Sequence, residues 1–204
     1  MIDHLVYAVP DLEKAMEDFS EKLGLKPQIG GQHPHKGTWN ALFSLGKEAY
    51  FELIATDPKQ APPVTPRWMG VDFIERPQLL RWACKSRDIV ADKAKAEALG
   101  FPLGKIEEGS RQLPDGSWLK WRLTDPGSQA GVGVVPFLLD WGTSVHPSQN
   151  LAGGCELVAL EVEHPEPDRL QGLYDALGIP LRVSYRATPG LRARIDSPRG
   201  LFEI

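Results

Sequence analysis

IDHLVYAVPDLEKAMEDFSEKLG, residues 2–24, is the stretch from which the fold is read. Residues 2–9 alternate as a strand does, with Ile2, His4, Val6 and Ala8 on one face and Leu5, Tyr7 and Val9 on the other. Asp11 can cap the helix that follows, in which Leu12, Ala15, Met16, Phe19 and Leu23 recur at helical spacing. Gly24 ends it, because a residue without Cβ enters the left-handed C′ conformation at little cost. A strand is expected near 25–29, then the loop GGQHPHKG (30–37). Two strands, TWNALFSL (38–45) and AYFELIA (49–55), follow, joined by the turn LGKE. The unit reads strand, helix, three strands.

The same order recurs twice. LLRWACKS (79–86) is a strand and RDIVADKAKAEALG (87–100) a helix; FPLGKIEEGSRQL, SWLKWRL and AGVGVVPFLL supply three more strands. PDG at 114–116 is a strong turn signal, since proline presets φ and glycine accepts positive φ. The third unit runs CELVALEVEH, PDRLQGLYDALG, PLRVSY, GLRARID and GLFEI. The helix ends KLGLKP, ALGFPL and ALGIPL are alike, and an internal repeat is harder to obtain by chance than any single motif. The segment 57–78, with five prolines, and the segment 140–154 separate the units. The expected fold class is α+β, with βαβββ modules forming a curved mixed-sheet cup and helices outside. Residues 1–141 are expected to hold the paired modules and residues 155–204 a third, either packed into the same domain or facing a subunit neighbour in a homodimer.

Composition excludes several classes. The 204 residues carry 23 Lys and Arg against 27 Asp and Glu, a net charge of -4. With no basic cluster interleaved with aromatics, there is no electrostatic reason to expect nucleic acid or an anionic membrane surface. The N-terminus lacks a signal-peptide pattern and no apolar run approaches bilayer length, so a cytoplasmic protein is expected. Cys84 and Cys155, far apart in apolar runs, read as buried free thiols. There is no HExxH helix, nucleophile elbow or dinucleotide fingerprint.

These pieces, with GGQHPHKGTWNALFSLG, YFELIA, GSRQLPDGSWLKWRL and PFLLDWG, resemble the vicinal oxygen chelate superfamily, specifically its glyoxalase-like branch, over nearly the whole chain. The resemblance implies that modules pair into an open cup holding a ligand or metal. In metal-binding members, opening- and closing-strand residues of two paired modules complete the site. His4 and Glu52 match those positions in the first module. The second departs from the pattern, with Arg81 or Trp82 in the opening strand and Phe137 or Leu138 in the closing one. An alternative pairing of the first and third modules would bring Glu156 and Glu203 to His4 and Glu52.

Strand parity puts His4, Asn40 and Glu52 on faces turned toward the concavity if the apolar faces pack on the helices. An imidazole and a carboxylate that meet there suit a divalent metal such as Zn, Ni, Fe or Mn, and equally suit the polar rim of a pocket. Trp118, Lys120 and Arg122 share a face; Trp118 and Arg122 are expected to line the cup, with Arg111 reaching it from the adjoining strand, because a guanidinium offers two directed donors to an oxyanion. His33 and His35, at alternate spacing in the loop 30–37, could approach a ligand over the cup, but an exposed loop is the favoured reading. Asp140 can order His146 or a pocket arginine, or simply start the turn into the proline-containing connector. Three functional readings stay open: a metal-assisted lyase, isomerase or dioxygenase; a binding module for a small polar organic molecule; and an assembly role for the third module.

Overall fold

The computed structural model describes residues 1–33, 36–112 and 118–204, with Arg111 and Gln112 as backbone only. The first unit comprises β1 (Ile2–Ala8), α1 (Leu12–Leu23), β2 (Gln28–His33), β3 (Thr38–Ser44) and β4 (Tyr50–Thr56). The Asp11 carboxylate accepts the Lys14 N–H at 3.0 Å, capping α1, and Gly24 closes the helix at φ 73°. The amphipathic reading holds: Leu12, Ala15, Phe19 and Leu23 are the buried residues of α1. The second unit comprises β5 (Gln78–Lys85), α2 (Ile89–Ala98), β6 (Ile106–Gln112), β7 (Trp118–Thr124) and β8 (Phe137–Asp140).

These strands form one eight-stranded sheet in the order β2-β3-β4-β1-β5-β8-β7-β6. Each unit closes by pairing its first strand parallel to its last, β1 with β4 and β5 with β8, and β1 joins β5 antiparallel at the centre. The result is the expected α+β cup, a curved half-barrel with helices packed outside. The first unit therefore pairs with the second, and the alternative pairing with the third does not occur.

The third unit comprises β9 (Glu156–His164), α3 (Pro167–Ala176), β10 (Val183–Tyr185), β11 (Gly190–Ser197) and β12 (Gly200–Glu203). It repeats the element order but not the pairing. Its sheet runs β10-β9-β11-β12, so β9 sits between β10 and β11 and never meets the last strand. Glu156 and Glu203 are exposed on this sheet, away from the cup. Tyr174 of α3 docks the unit: its ring lies edge-on to Trp82 of β5 at 5.7 Å, and both are fully buried. The Tyr174 hydroxyl and the Trp82 indole N–H donate to the same Val134 carbonyl, at 2.7 and 3.0 Å. Two large rings are thus buried without an orphaned polar atom.

Two boundaries differ from expectation. β2 begins later and includes Gly31, Gln32 and His33, because a bulge between Ile29 and Gly31 lets the glycine pair continue the ladder. Residues 130–136 form no strand. They belong to a loop clamped by Arg81, whose buried guanidinium donates to the Gln129 and Gly131 carbonyls.

Candidate functional site

Inside the cup lies a cavity of about 370 Å³, within the range of small-molecule sites. Its first-unit wall is polar. His4 from β1, Asn40 from β3 and Glu52 from β4 are each buried and share it, as parity predicted. The Asn40 amide donates to Glu52 Oε1 at 2.5 Å, and His4 Nε2 stands 3.5 Å from Glu52 Oε2. Asn40 Nδ2 also lies 3.4 Å from His33 Nε2, and His33 Nδ1 is 2.9 Å from Thr38 Oγ1. His33 is thus a strand residue facing the cavity, which corrects the exposed-loop expectation; His35 lies outside the described residues.

Behind His4 is a group that sequence reading missed. Asp3 is fully buried, with Oδ1 2.7 Å from His4 Nδ1 and Oδ2 accepting the Trp141 indole N–H at 2.8 Å. His146 Nε2 lies 3.2 Å from the same Oδ2. Burial raises the Asp3 pKa, but hydrogen bonds from His146 and His4, with their charges, outweigh it and bring the value down to about 2. The carboxylate is therefore ionised and accepts a hydrogen bond from the Nδ1–H of His4. The Tyr50 ring stacks on His4 at 4.4 Å and fixes its plane. His4 Nε2 and Glu52 Oε2 are left facing each other at 3.5 Å. A buried imidazole and carboxylate thus meet on one wall of the cavity.

The part of the opposite wall built by β7 and β8 is apolar. Leu119, Trp121 and Leu123 of β7, with Phe137 and Leu139 of β8, face the first unit across the cavity. Trp121 can lie flat over β6 only because residue 109 is glycine: a Cβ there would sit 2.3 Å from Trp121 Cε2. Gly109→Ala is therefore expected to cost about 1–3 kcal/mol through forced displacement of the indole. Chemical denaturation should show it as a lower midpoint at unchanged slope. At the mouth, Lys36 Nζ pairs with Glu107 Oε2 at 2.7 Å, tying the first unit to β6. Trp68 and Met69, from the connector between the units, complete the rim. Met69 is held at φ 60°, a left-handed conformation costly for a side chain of its size.

Comparison with known proteins now bears on the site. The family described as glyoxalase-like domain matches residues 2–178. The chain belongs to that family. A hypothetical protein from Staphylococcus aureus shares the fold over 99% of this chain and 97% of that one, with TM-score 0.68 and 15% identity. Methylmalonyl-CoA epimerase from Mycobacterium tuberculosis matches at TM-score 0.44 and 20% identity, covering 69% of this chain and 87% of its own. A Streptomyces coelicolor methylmalonyl-CoA epimerase in complex with 2-nitronate-propionyl-CoA matches at 0.46 and 17%, covering 72% and 98%. Identities this low speak to the fold alone. No curated protein matches. Among the described residues no helix is long and apolar enough to cross a membrane.

Among the described residues of this glyoxalase-like chain the metal-ligand set is incomplete. Among the described residues no group of three or more His, Cys, Asp or Glu side chains is placed to hold an ion, whereas a catalytic zinc takes three protein donors and a structural one four. His4 and Glu52 make two. The second-unit residue in register with His4 is Ala83, whose own partner is Phe137, and the Phe137 ring stands edge-on to His4 at 5.3 Å. A phenyl ring thus occupies the side from which further donors would come.

The remaining expected residues lie elsewhere. Trp118 and Arg122 point away from the cavity, reversing the expected facing of β7; they border a second depression outside it. Arg122 there engages the Asp140 carboxylate. The Arg111 backbone pairs with Leu119, and its side chain lies outside the described residues. Arg81 is held by loop carbonyls, and Cys84 and Cys155 are buried and unpaired as thiols.

Proposed function

We propose that this glyoxalase-like protein is an enzyme of the lyase or isomerase type that moves a proton on a small oxygen-bearing organic molecule. The observation that carries the reading is the buried pair of His4 and Glu52, with Asp3 behind one and Asn40 beside the other. Glu52, as carboxylate, takes a proton from carbon next to a carbonyl. The C–H electron pair becomes the C=C bond of an enol, and the carbonyl oxygen receives the Nε2 proton of His4. Reversal returns a proton to carbon. Asn40 fixes the Glu52 oxygen that does not face His4, so the base keeps one aim. Asp3 keeps Nδ1–H on His4 and so assigns Nε2 to the reacting side.

The experiment is solvent-deuterium incorporation at the carbon next to the carbonyl, followed by NMR over a panel of small α-hydroxyketones. Enzyme-dependent exchange supports the reading. Saturable binding without exchange for every panel member replaces it with a binding module. Metal content checks the same reading from another side: tag-free protein is expected to retain well under one equivalent of divalent metal, since two donors hold an ion weakly. Stoichiometric metal that disappears in His4→Ala would put the metal-assisted reading in its place.

A further inference from the structure

The buried polar groups of the cavity lie on its first-unit wall, while β6 adds the more exposed Glu107, Glu108 and Ser110 at the edge of the second-unit side. The donors and acceptors, His4, Asn40 and Glu52 with His33 behind them, come from β1, β3, β4 and β2. The surface that β7 and β8 turn toward them is carbon: Leu119, Trp121, Leu123, Phe137 and Leu139. Trp141 adds its indole, whose N–H is already taken by Asp3, so it offers a ligand only carbon contact. Trp121 and Trp141 lie 5.7 Å apart at 52°, and the glycine beneath Trp121 lets its ring lie close against the strand. An apolar wall of this kind gains from an apolar partner, and aromatic rings gain further in offset or edge contacts.

Charge narrows the ligand further. Among the described residues, the lysine of the lining is paired with Glu107, while Glu52 sits beside the polar wall with imidazole and amide partners. An anionic head would face that carboxylate, whereas a neutral carbonyl or hydroxyl would not be repelled. The cavity volume admits a compact ligand.

We propose that the second-unit wall is a subsite for a planar aromatic ring and that the ligand is a neutral aryl ketone bearing a neighbouring hydroxyl. Its oxygens lie toward His4, Asn40 and Glu52, and its ring lies against Trp121, Leu123 and Phe137. The proposal rests on the reading of His4 and Glu52 as the reacting end, and it gives the residues facing them a task of their own.

Three probes separate the parts: 2-hydroxyacetophenone, hydroxyacetone, which has the same head without the ring, and phenylglyoxylate, which has the ring with an anionic head. By calorimetry, 2-hydroxyacetophenone is expected to bind at least tenfold more tightly than either of the others. Trp121→Ala should lose about tenfold toward 2-hydroxyacetophenone and several-fold less than that toward hydroxyacetone, so that the preference between the two ketones falls. On the unmodified protein, saturation-transfer NMR should mark the phenyl protons more strongly than the methylene protons, a readout independent of whether the variant folds. Equal affinities for the two ketones, preference for phenylglyoxylate, or no saturable binding of 2-hydroxyacetophenone at its solubility limit overturns the proposal. The arms are distinguishable: aryl preference without deuterium exchange removes the proton-transfer reading and leaves the subsite, while exchange on hydroxyacetone without aryl preference does the reverse.

Discussion

Asp3→Asn is expected to lower stability at neutral pH by about 3–5 kcal/mol, the usual range when one partner of a buried charged network is removed. Asp3 is fully buried and accepts from β1 and the Trp141 segment, with His146 beside it. A carboxamide keeps one acceptor oxygen and turns its NH2 toward a donor. Either His4 loses its acceptor, or Trp141 and His146 lose theirs. Denaturant unfolding of the variant and the parent at pH 7 measures the difference.

Acid makes the second half of that test. The folded Asp3 pKa is depressed to about 2 from an ordinary value of 3.8. A depressed carboxyl contributes stability that is fully present above the unfolded value and is lost as pH falls through the folded one. The window therefore runs from about pH 4 down to pH 2, and the contribution lost across it is roughly 2 kcal/mol. The parent should lose stability more steeply than Asp3→Asn through that window. Parallel acid limbs would show that Asp3 is not the depressed group.

The same residue shows where the sequence ceased to be legible. Period-two alternation places Asp3 opposite His4, yet their side chains touch. A register shift between Ile2 and His4 against β5 breaks the alternation there, and no one-strand pattern reveals a bulge imposed by a neighbour. Alternation did bring His4, Asn40 and Glu52 to one wall, because β1, β3 and β4 keep their pleat through those positions. β7 failed for a different reason. Its apolar face was assigned to the core behind the sheet, but the cup itself is apolar on that side. Leu119, Trp121 and Leu123 turn inward, and Trp118, Lys120 and Arg122 go to the surface. Trp68, Trp141 and His146 come from connectors, whose paths follow from tertiary contacts rather than periodicity. The third unit carries the general lesson: helix ends as alike as ALGFPL and ALGIPL predicted the element order but not the pairing, since β5 meets the last strand of its unit and β9 does not.

Glu52→Gln is expected to reduce deuterium exchange by about 10²–10⁴-fold, the span usual for a positioned general base, while ligand affinity changes little. The amide is nearly isosteric, so the cavity keeps its shape and Trp121 and Phe137 keep their surface. What disappears is the basic lone pair at Oε2, the atom facing His4 Nε2. Glutamine can still present its oxygen to the Asn40 amide, the 2.5 Å contact at Oε1, and its NH2 then points at His4. With Nδ1–H of His4 donated to Asp3, Nε2 accepts from that NH2, and the variant stays hydrogen-bonded and folded. A loss in kcat with affinity retained would mean that Glu52 acts in the transition state rather than in ground-state binding. If affinity and exchange fall together by the same factor, Glu52 holds the ligand and another group takes the proton. His4, with its lone pair directed by Asp3, is then the residue next in reach, and His4→Gln in the Glu52 background distinguishes the two assignments.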